Sequence, residues 1–359
     1  MKNDFMIIKE RIKEQITSGQ LKANQKLPTE DDLISQFKIS RYAVRKALGQ
    51  LESENLIYRI QGSGMYIQDL NKKWNYNPES KTIGLICTHI ADYIFPKLIS
   101  HIDSIIAKKG YSLLVANTHN DTSRERLRLI NMLDSQVAGL IVEPSESAKP
   151  NPNLDIYQII SHDKVPLIFI NAIYPKLHFP VITNTDKQSE KELVKYLFKL
   201  GHQKIIGIFQ TDDLQGINRM QGFIEAYQES SITLSNSFLI MYSSHDNFKT
   251  ISDKLDLYLN NNQPPTAITC YNDQLAILVV DKLKKMKYCI PQDISVCGFD
   301  DYDGTSYLTP TLTTMKYDTY SIGKEAGQGI LKLIHGKEFH SITHQPQIKI
   351  RDSTAQPHN

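Results

Sequence analysis

The apolar positions of the first seventy residues follow a helical period three times and then alternate. Ile7, Ile8, Ile12 and Ile16 recur at helical spacing until Gly19 ends the run, which predicts a first helix. In KLPTEDDLISQF, Pro28 and Thr29 precede an acidic first turn and then Leu33, Ile34 and Phe37, the pattern of a capped second helix. Ser40 is placed to cap a third, with an apolar stripe of Val44, Ala47, Leu48 and Leu51. At about 100° per residue this leaves Arg41, Tyr42, Arg45, Lys46 and Gly49 facing away. LIYRI and MYIQD then alternate around QGSG, as a β-hairpin does. Short helices followed by a hairpin predict an α+β winged helix-turn-helix. The exposed face of its third helix carries basic residues and no acid of its own, and starts at a cap. That combination suits docking in the major groove of DNA.

A polar, Asn-rich stretch follows, so the head is read as residues 1–70 and a linker as 71–80. The linker holds the only tryptophan, Trp74, placed either to dock on the next domain or to line a site.

From residue 81 the pattern changes. Short apolar runs (TIGLICT, YSLLVANT, AGLIVEP, PLIFINA, KIIGIFQ, TAITCYND and ISVCGFDD) alternate with helical periodicity, as at 96–109, 186–200 and 247–260. Buried strands with long crossovers predict parallel α/β sheets. About 275 residues suit two such sheets better than one, so 81–359 is read as one domain of two α/β subdomains.

Composition adds limits rather than an answer. A 40% hydrophobic and 22% charged chain is ordinary for a globular protein. Net charge is +2, and residues 1–72 hold 12 Lys/Arg against 9 Asp/Glu, so a DNA-binding role rests on local placement rather than on a global field. No apolar run approaches the roughly 20 residues of a membrane span, and charge runs through MKNDFMIIKERIKEQ; a cytoplasmic protein without a membrane partner is expected. Cys87, Cys270, Cys289 and Cys297 show no C-x-x-C spacing, and the three in apolar runs are read as buried thiols.

Parallel sheets present ligand groups at the carboxyl ends of their strands. Found there are Asn117, His119, Glu143, Asn272, Asp273, Asp300 and Asp301, joined by Arg219 near a predicted helix start. Acids, amides and one arginine suit a neutral polyol: carboxylates and amides bridge hydroxyls while the arginine balances charge. Asp300 and Asp301 are a poor general acid and base, because neighbours in an extended segment point to opposite faces. Asp301 fits a turn or hinge cap as well as a ligand contact. No G-x-G-x-x-G, Walker A, G-x-S-x-G or H-E-x-x-H motif is present, so an enzyme is not expected. His119 and His202 have no third partner to make a metal set and are read as capping or packing groups, with His119 also a ligand candidate; no metal site is read. Tyr93, Phe95, Tyr271 and Tyr302 fit a core or rim, with one of them covering the ligand's apolar face.

The stretch LPTEDDLISQFKISRYAVRKALGQLESENLIYRIQGSGMYI, with P-T-E, then S-R-x-x-V-R-x-A-L, then G-x-G, resembles the GntR winged-helix group. Residues 81–352 resemble the LacI-type regulatory domain, itself similar to periplasmic sugar-binding proteins, in LGHQKI, NRMQGF, PPTAITCYND, DISVCGFDD, LTPTLTT and DTYSIGKEA. The pairing is similar to the arabinose-responsive repressors of Gram-positive bacteria. It implies a periplasmic-binding-protein-like fold of two subdomains, and a repressor that leaves double-stranded operator DNA when L-arabinose or a similar sugar binds. No other cofactor is implied. By the resemblance, Arg41, Arg45 and a wing at Gln61, Gly62 and Ser63 touch DNA, with Thr29 near phosphate. Sugar contacts fall on Arg219, Asn272 and Asp300, which match R-x-x-G-F, N-D and G-F-D-D; Glu143 and Tyr93 join them from loop edges. Before LGH the family's Asp-Asn pair and following Gly-Ala or Gly-Gly are replaced by Thr185-Asp186 and Ser189-Glu190, a departure at the sugar contact from that loop that leaves Asp186 able to cap the helix. Homodimerisation through the C-terminal domain is implied, with Leu98, Ile102, Ile105 and Ile106 explained equally by an interface or by core. The alternative is the same architecture answering to another sugar, a nucleobase or a phosphorylated ligand, or acting with a corepressor.

Overall fold

The computed structural model describes residues 4–23, 25–54, 56–60, 64–68, 77, 79–91, 93–233, 238–261 and 264–358. The head comprises α1 (Asp4–Thr17), α2 (Glu30–Phe37), α3 (Arg41–Ser53), β1 (Ile57–Ile60) and β2 (Gly64–Ile67). Its start signals are local and work as the residues dictate. Thr29 Oγ1 accepts from Asp32 N while Asp32 Oδ2 accepts from Thr29 N, a reciprocal capping box. Ser40 Oγ accepts from Ala43 N and starts α3. Ile8, Ile12, Leu33, Val44, Leu48 and Leu51 close the core between the helices. In the hairpin Ile57 lies opposite Ile67 and Ile60 opposite Gly64. Gln61, Gly62, Ser63 and Trp74 lie outside the described residues.

Two six-stranded sheets follow. The first runs β13 (Ile342–His344), β7 (Val181–Asn184), β6 (Leu167–Ile170), β5 (Gly139–Val142), β3 (Thr82–Cys87), β4 (Ser112–Asn117), all parallel. The second runs β14 (Ile348–Lys349), β12 (Thr313–Lys316), β11 (Ser295–Asp300), β10 (Ala267–Cys270), β8 (Ile205–Gln210), β9 (Phe238–Tyr242), with β14 antiparallel. Helices α4 (Phe95–Ala107), α5 (Thr122–Asp134), α6 (Leu154–His162) and α11 (Thr319–Ile334) pack with the first sheet. Helices α7 (Asp186–Leu200), α8 (Leu214–Gln228), α9 (Phe248–Leu259) and α10 (Asp273–Lys285) pack with the second. The chain therefore crosses between halves after β7, after β12 and between β13 and β14. At the crossings Thr185 N donates to His344 O at 2.8 Å and Tyr317 N to Asp300 O at 3.3 Å.

Each sheet reverses its strand order once, at β3/β5 and at β8/β10, so each has a crevice at its carboxyl edge. Strand β9, FLIMY, is a continuous apolar run that was missed along the chain, whereas β7, β12, β13 and β14 carry none. Those four have two to four residues and lie toward the sheet margins, where polar residues are tolerated. Two glycines set the approach of elements around the site. A Cβ on Gly222 of α8 would stand 2.1 Å from Lys187 O on α7, and one on Gly298 would stand 2.1 Å from Asp273 Oδ1. Leu98, Ile102 and Ile106 are buried in the core shared by α4 and α11, so that stripe is filled within one chain. Cys87, Cys270 and Cys297 are buried and Cys289 is exposed, all as free thiols. No helix among the described residues is long and apolar enough to cross a membrane.

Candidate functional site

The two crevices face each other across a cavity of about 290 Å³. Thr88, Tyr93, Asn120, Glu143 and Asn171 line it from the first half, and Gln210, Asp213, Arg219, Tyr271, Asn272 and Asp300 from the second. On the first side Glu143 is fixed completely. Its Oε2 accepts from Thr88 N (2.9 Å) and Thr88 Oγ1 (2.7 Å), and its Oε1 from Asn171 Nδ2 (2.6 Å). Asn171 Oδ1 in turn accepts from the Tyr317 hydroxyl at 2.6 Å, which locks its amide orientation.

On the second side Arg219 is 1% exposed and organises the floor. Nε donates to Asp186 Oδ1 at 2.9 Å, Nη1 to Tyr271 O at 2.5 Å and Nη2 reaches Asp300 Oδ1 at 3.5 Å. The guanidinium lies over the Phe299 ring, 3.6 Å from its centroid. Gly222 lets α8 come close enough to α7 for the Arg219–Asp186 pair to form, which gives the R-x-x-G-F spacing a packing reason. Asp300 holds a left-handed backbone, φ 106°, a conformation costly for any side chain and stable only where its surroundings enforce it. Tyr93, at φ 61°, crosses from the other half: its hydroxyl donates to Asp300 Oδ2 at 2.6 Å and accepts from Asp273 N at 3.2 Å. The site is thus joined across the cleft through Asp300.

One guanidinium serves several buried acids, and their protonation reflects that. Burial opposes the charge of Arg219, but the carboxylates of Asp186 and Asp300 outweigh it and keep the group firmly protonated. Burial pushes Asp186 up to about 6 despite Arg219, and Asp213 to about 6 despite the Tyr271 hydroxyl. Glu190, one turn along α7 from Asp186, is pushed up to about 7 by burial; Oε1 accepts from Thr269 Oγ1, and among the described residues Oε2 has no hydrogen-bond partner. Between about pH 4.5 and 7 the folded chain holds a proton on Glu190 that the unfolded chain releases, so this contribution to stability is lost as pH rises. Replacing Glu190 with glutamine should flatten that slope and raise stability at pH 8 by on the order of 1–3 kcal/mol. Urea unfolding at pH 5, 6, 7 and 8 measures it; equal slopes in both proteins would refute the assignment.

Five of the seven expected ligand residues (Tyr93, Glu143, Arg219, Asn272 and Asp300) come together in the cavity wall. Two do not. His119 is exposed in a turn at φ 53°, its amide donating to Asn117 Oδ1, and the next residue, Asn120, takes the place in the wall. Asp273 is wholly buried behind the wall, accepting from Thr314 Oγ1 and Tyr302 N. The cap role left open for Asp186 is not the one it takes: as the first residue of α7 it is 2% exposed and paired with Arg219. Asp301 points away from Asp300 to Arg351 and Lys349. His202 is a buried packing group between Thr266 Oγ1 and Ala355 O. Asp213, Gln210 and Asn171 were missed, although each follows an apolar strand and could have been collected on that ground.

The head's basic face differs from the helix-wheel picture. Arg41 Nη2 pairs with Asp31 Oδ1 at 2.5 Å and Arg45 Nε with Glu30 Oε2 at 2.8 Å. The face is free of acids only if α3 is taken alone; the first turn of α2 supplies them. Lys46 lies 4.3 Å over the Phe5 ring, turned toward α1 rather than outward, while Tyr42 stands 76% exposed. The hydroxyls of Thr29 and Ser40 are already engaged in the caps.

Residues 7–67 match the family described as bacterial regulatory proteins, gntR family, and residues 194–354 match the periplasmic binding protein-like domain. The arabinose metabolism transcriptional repressor of Geobacillus stearothermophilus is 36% identical over 355 residues, 98% of this chain and 97% of that one. Its counterpart in Halalkalibacterium halodurans is 32% identical over 366 residues, 99% and 98% of the two chains. Among solved structures, a LacI family transcriptional regulator from Enterococcus faecium with bound ribose shares the fold with a TM-score of 0.68 at 21% identity, over 77% of this chain and 99% of that one. These relatives are regulators and not enzymes. With such identity across nearly its whole length, the chain belongs to the family of arabinose metabolism transcriptional repressors, built from a GntR-type head and a periplasmic-binding-protein-like regulatory domain.

Proposed function

We propose that L-arabinose is the effector of this repressor, bound in the cavity between the two halves, and that it releases the protein from its operator. The observation that carries this reading is the wall itself: fixed carboxylates and amides from both halves around about 290 Å³, the small end of the range for ligand sites. Glu143, Asn272 and Asp300 are assigned to sugar hydroxyls, Arg219 to holding Asp300, and Tyr93 to joining the halves. The two related repressors named for arabinose metabolism and the ribose-bound fold neighbour support a monosaccharide. A phosphorylated ligand fits less well. Among the described residues of the wall Arg219 is the one arginine or lysine, and it is already committed to carboxylates.

The head, residues 1–70, is assigned to operator DNA through Arg41, Tyr42 and Arg45, with Thr29 near phosphate, Ser40 at the start of the recognition helix, Lys46 in a lesser part because its ammonium lies over Phe5, and the wing at Gln61, Gly62 and Ser63. Residues 71–80 link it to the regulatory domain at 81–359, which is assigned to homodimerisation in the cytoplasm. A symmetric dimer then reads half-sites separated by about 10–10.5 bp or multiples of it. Gel-shift titration of the operator complex with arabinose, ribose, xylose and galactose tests the effector. Release by arabinose at the lowest concentration is the expected result; release by another sugar first, or tighter binding with arabinose, would overturn it.

A further inference from the structure

At the edge of the cavity three loops distant in sequence meet. One ligand atom from each of Glu146, Asp212 and His245 lies within 4.8 Å of the others. Glu146 follows β5 in the first half, whereas Asp212 follows β8 and His245 follows β9 in the second. Asp212 is 1% exposed. Its Oδ2 is saturated by Ser243 Oγ (3.0 Å), Ser244 N (2.9 Å) and Ser244 Oγ (2.6 Å), which fixes the carboxylate plane. Its Oδ1 is equally buried and, among the described residues, has no donor. A buried carboxylate oxygen without a partner is costly, and the remedy is a proton, a water or a cation.

We propose that Glu146, Asp212 and His245 form a binding site for a divalent transition-metal cation of the zinc type, which ties the two halves of the regulatory domain together. An imidazole nitrogen with two carboxylate oxygens is a donor set such ions accept, with solvent completing the shell. Magnesium and calcium prefer oxygen ligands alone. The groups that hold the three ligands are of the kind that orient metal sites: the Ser243–Ser244 hydroxyls on Asp212, and Thr122 Oγ1 at 3.5 Å from Glu146 Oε2. Lys149 Nζ, at 2.5 Å from Glu146 Oε1, now supplies the positive charge there, and at 48% side-chain exposure it is free to rotate into solvent. His245 is 60% exposed, with Nε2 3.6 Å from Glu146 Oε1, so a small rotation brings it to the ion. Because the ligands come from both halves, an occupied site holds them at the separation seen here.

Zinc titrated into the full-length chain by calorimetry tests this, alongside His245→Ala and Glu146→Gln. His245 is exposed and Glu146 is partly buried, both outside the hydrophobic clusters, and circular dichroism checks the fold of each variant. Equimolar binding by the unaltered chain, weakened about tenfold or more in both variants, is the expected result. Cobalt in place of zinc should give visible absorption bands that are lost in His245→Ala. Absence of saturable zinc binding overturns the proposal, as does binding of equal strength in both variants or a magnesium affinity that exceeds that for zinc.

Discussion

Replacing Arg219 with alanine lowers the stability of the regulatory domain by about 3–5 kcal/mol, the effect of leaving buried charge uncompensated. The guanidinium is almost fully enclosed, and three of its nitrogens are spoken for by Asp186, Tyr271 O and Asp300. Without it Asp186 and Asp300 face one another across the space it vacates, and only protonation relieves them. Lysine does not substitute, because a single ammonium cannot meet three acceptors arranged for a planar fork, nor lie flat over Phe299. On the proposed assignment Arg219→Ala also removes release by arabinose, since Asp300 loses the contact that orients it toward the ligand. Urea unfolding followed by circular dichroism, with a gel shift in the presence and absence of sugar, reads both effects. An unchanged midpoint with normal release would refute the role given to Arg219.

Replacing Arg45 with alanine weakens operator binding by about 1–3 kcal/mol if the side chain makes a two-pronged contact to a guanine. The ion pair with Glu30 is not an obstacle to that contact. Arg45 is 62% exposed, and an exposed pair contributes about 0–1 kcal/mol, less than the base contact that replaces it. The pair instead ties the guanidinium to the first turn of α2 before DNA arrives. Lys46→Ala should have a smaller effect on the operator, because its ammonium sits over Phe5. Quantitative footprinting compares the two; an Arg45→Ala footprint identical to that of the unaltered protein, or a larger loss for Lys46→Ala, contradicts the assignment.

What could be read along the chain was what is decided locally. Thr29 and Ser40 cap helices because the donor and acceptor lie three residues apart, and the buried runs of β3, β5, β6, β8, β10 and β11 show because those strands are covered on both faces. Tyr93, Glu143, Arg219, Asn272 and Asp300 reach the cavity because strand ends and helix starts define its rim. What escaped depends on partners from elsewhere. A wheel drawn for α3 does not contain Asp31, Glu30 or Phe5, so it misstates the setting of Arg41, Arg45 and Lys46. His119 and Asn120 differ by one position in a left-handed turn, and only the turn decides which faces inward. Asp186 and Glu190 stood out as a departure from the expected pattern, yet their place beside a buried arginine depends on how α7 meets α8.

The path of the chain between the halves has a consequence for synthesis. Strand β13, which completes the sheet begun by β3, is made some 260 residues after it, and β14, the last strand of the other sheet, follows it within a few residues. The winged head has all of its elements by residue 67. At about 5–20 residues per second, roughly 15–60 s separate a ribosome-bound head from the first moment its sugar receptor is complete. Newly made molecules therefore pass through an interval in which they carry the means to grip a promoter before they own the means to be told to let go.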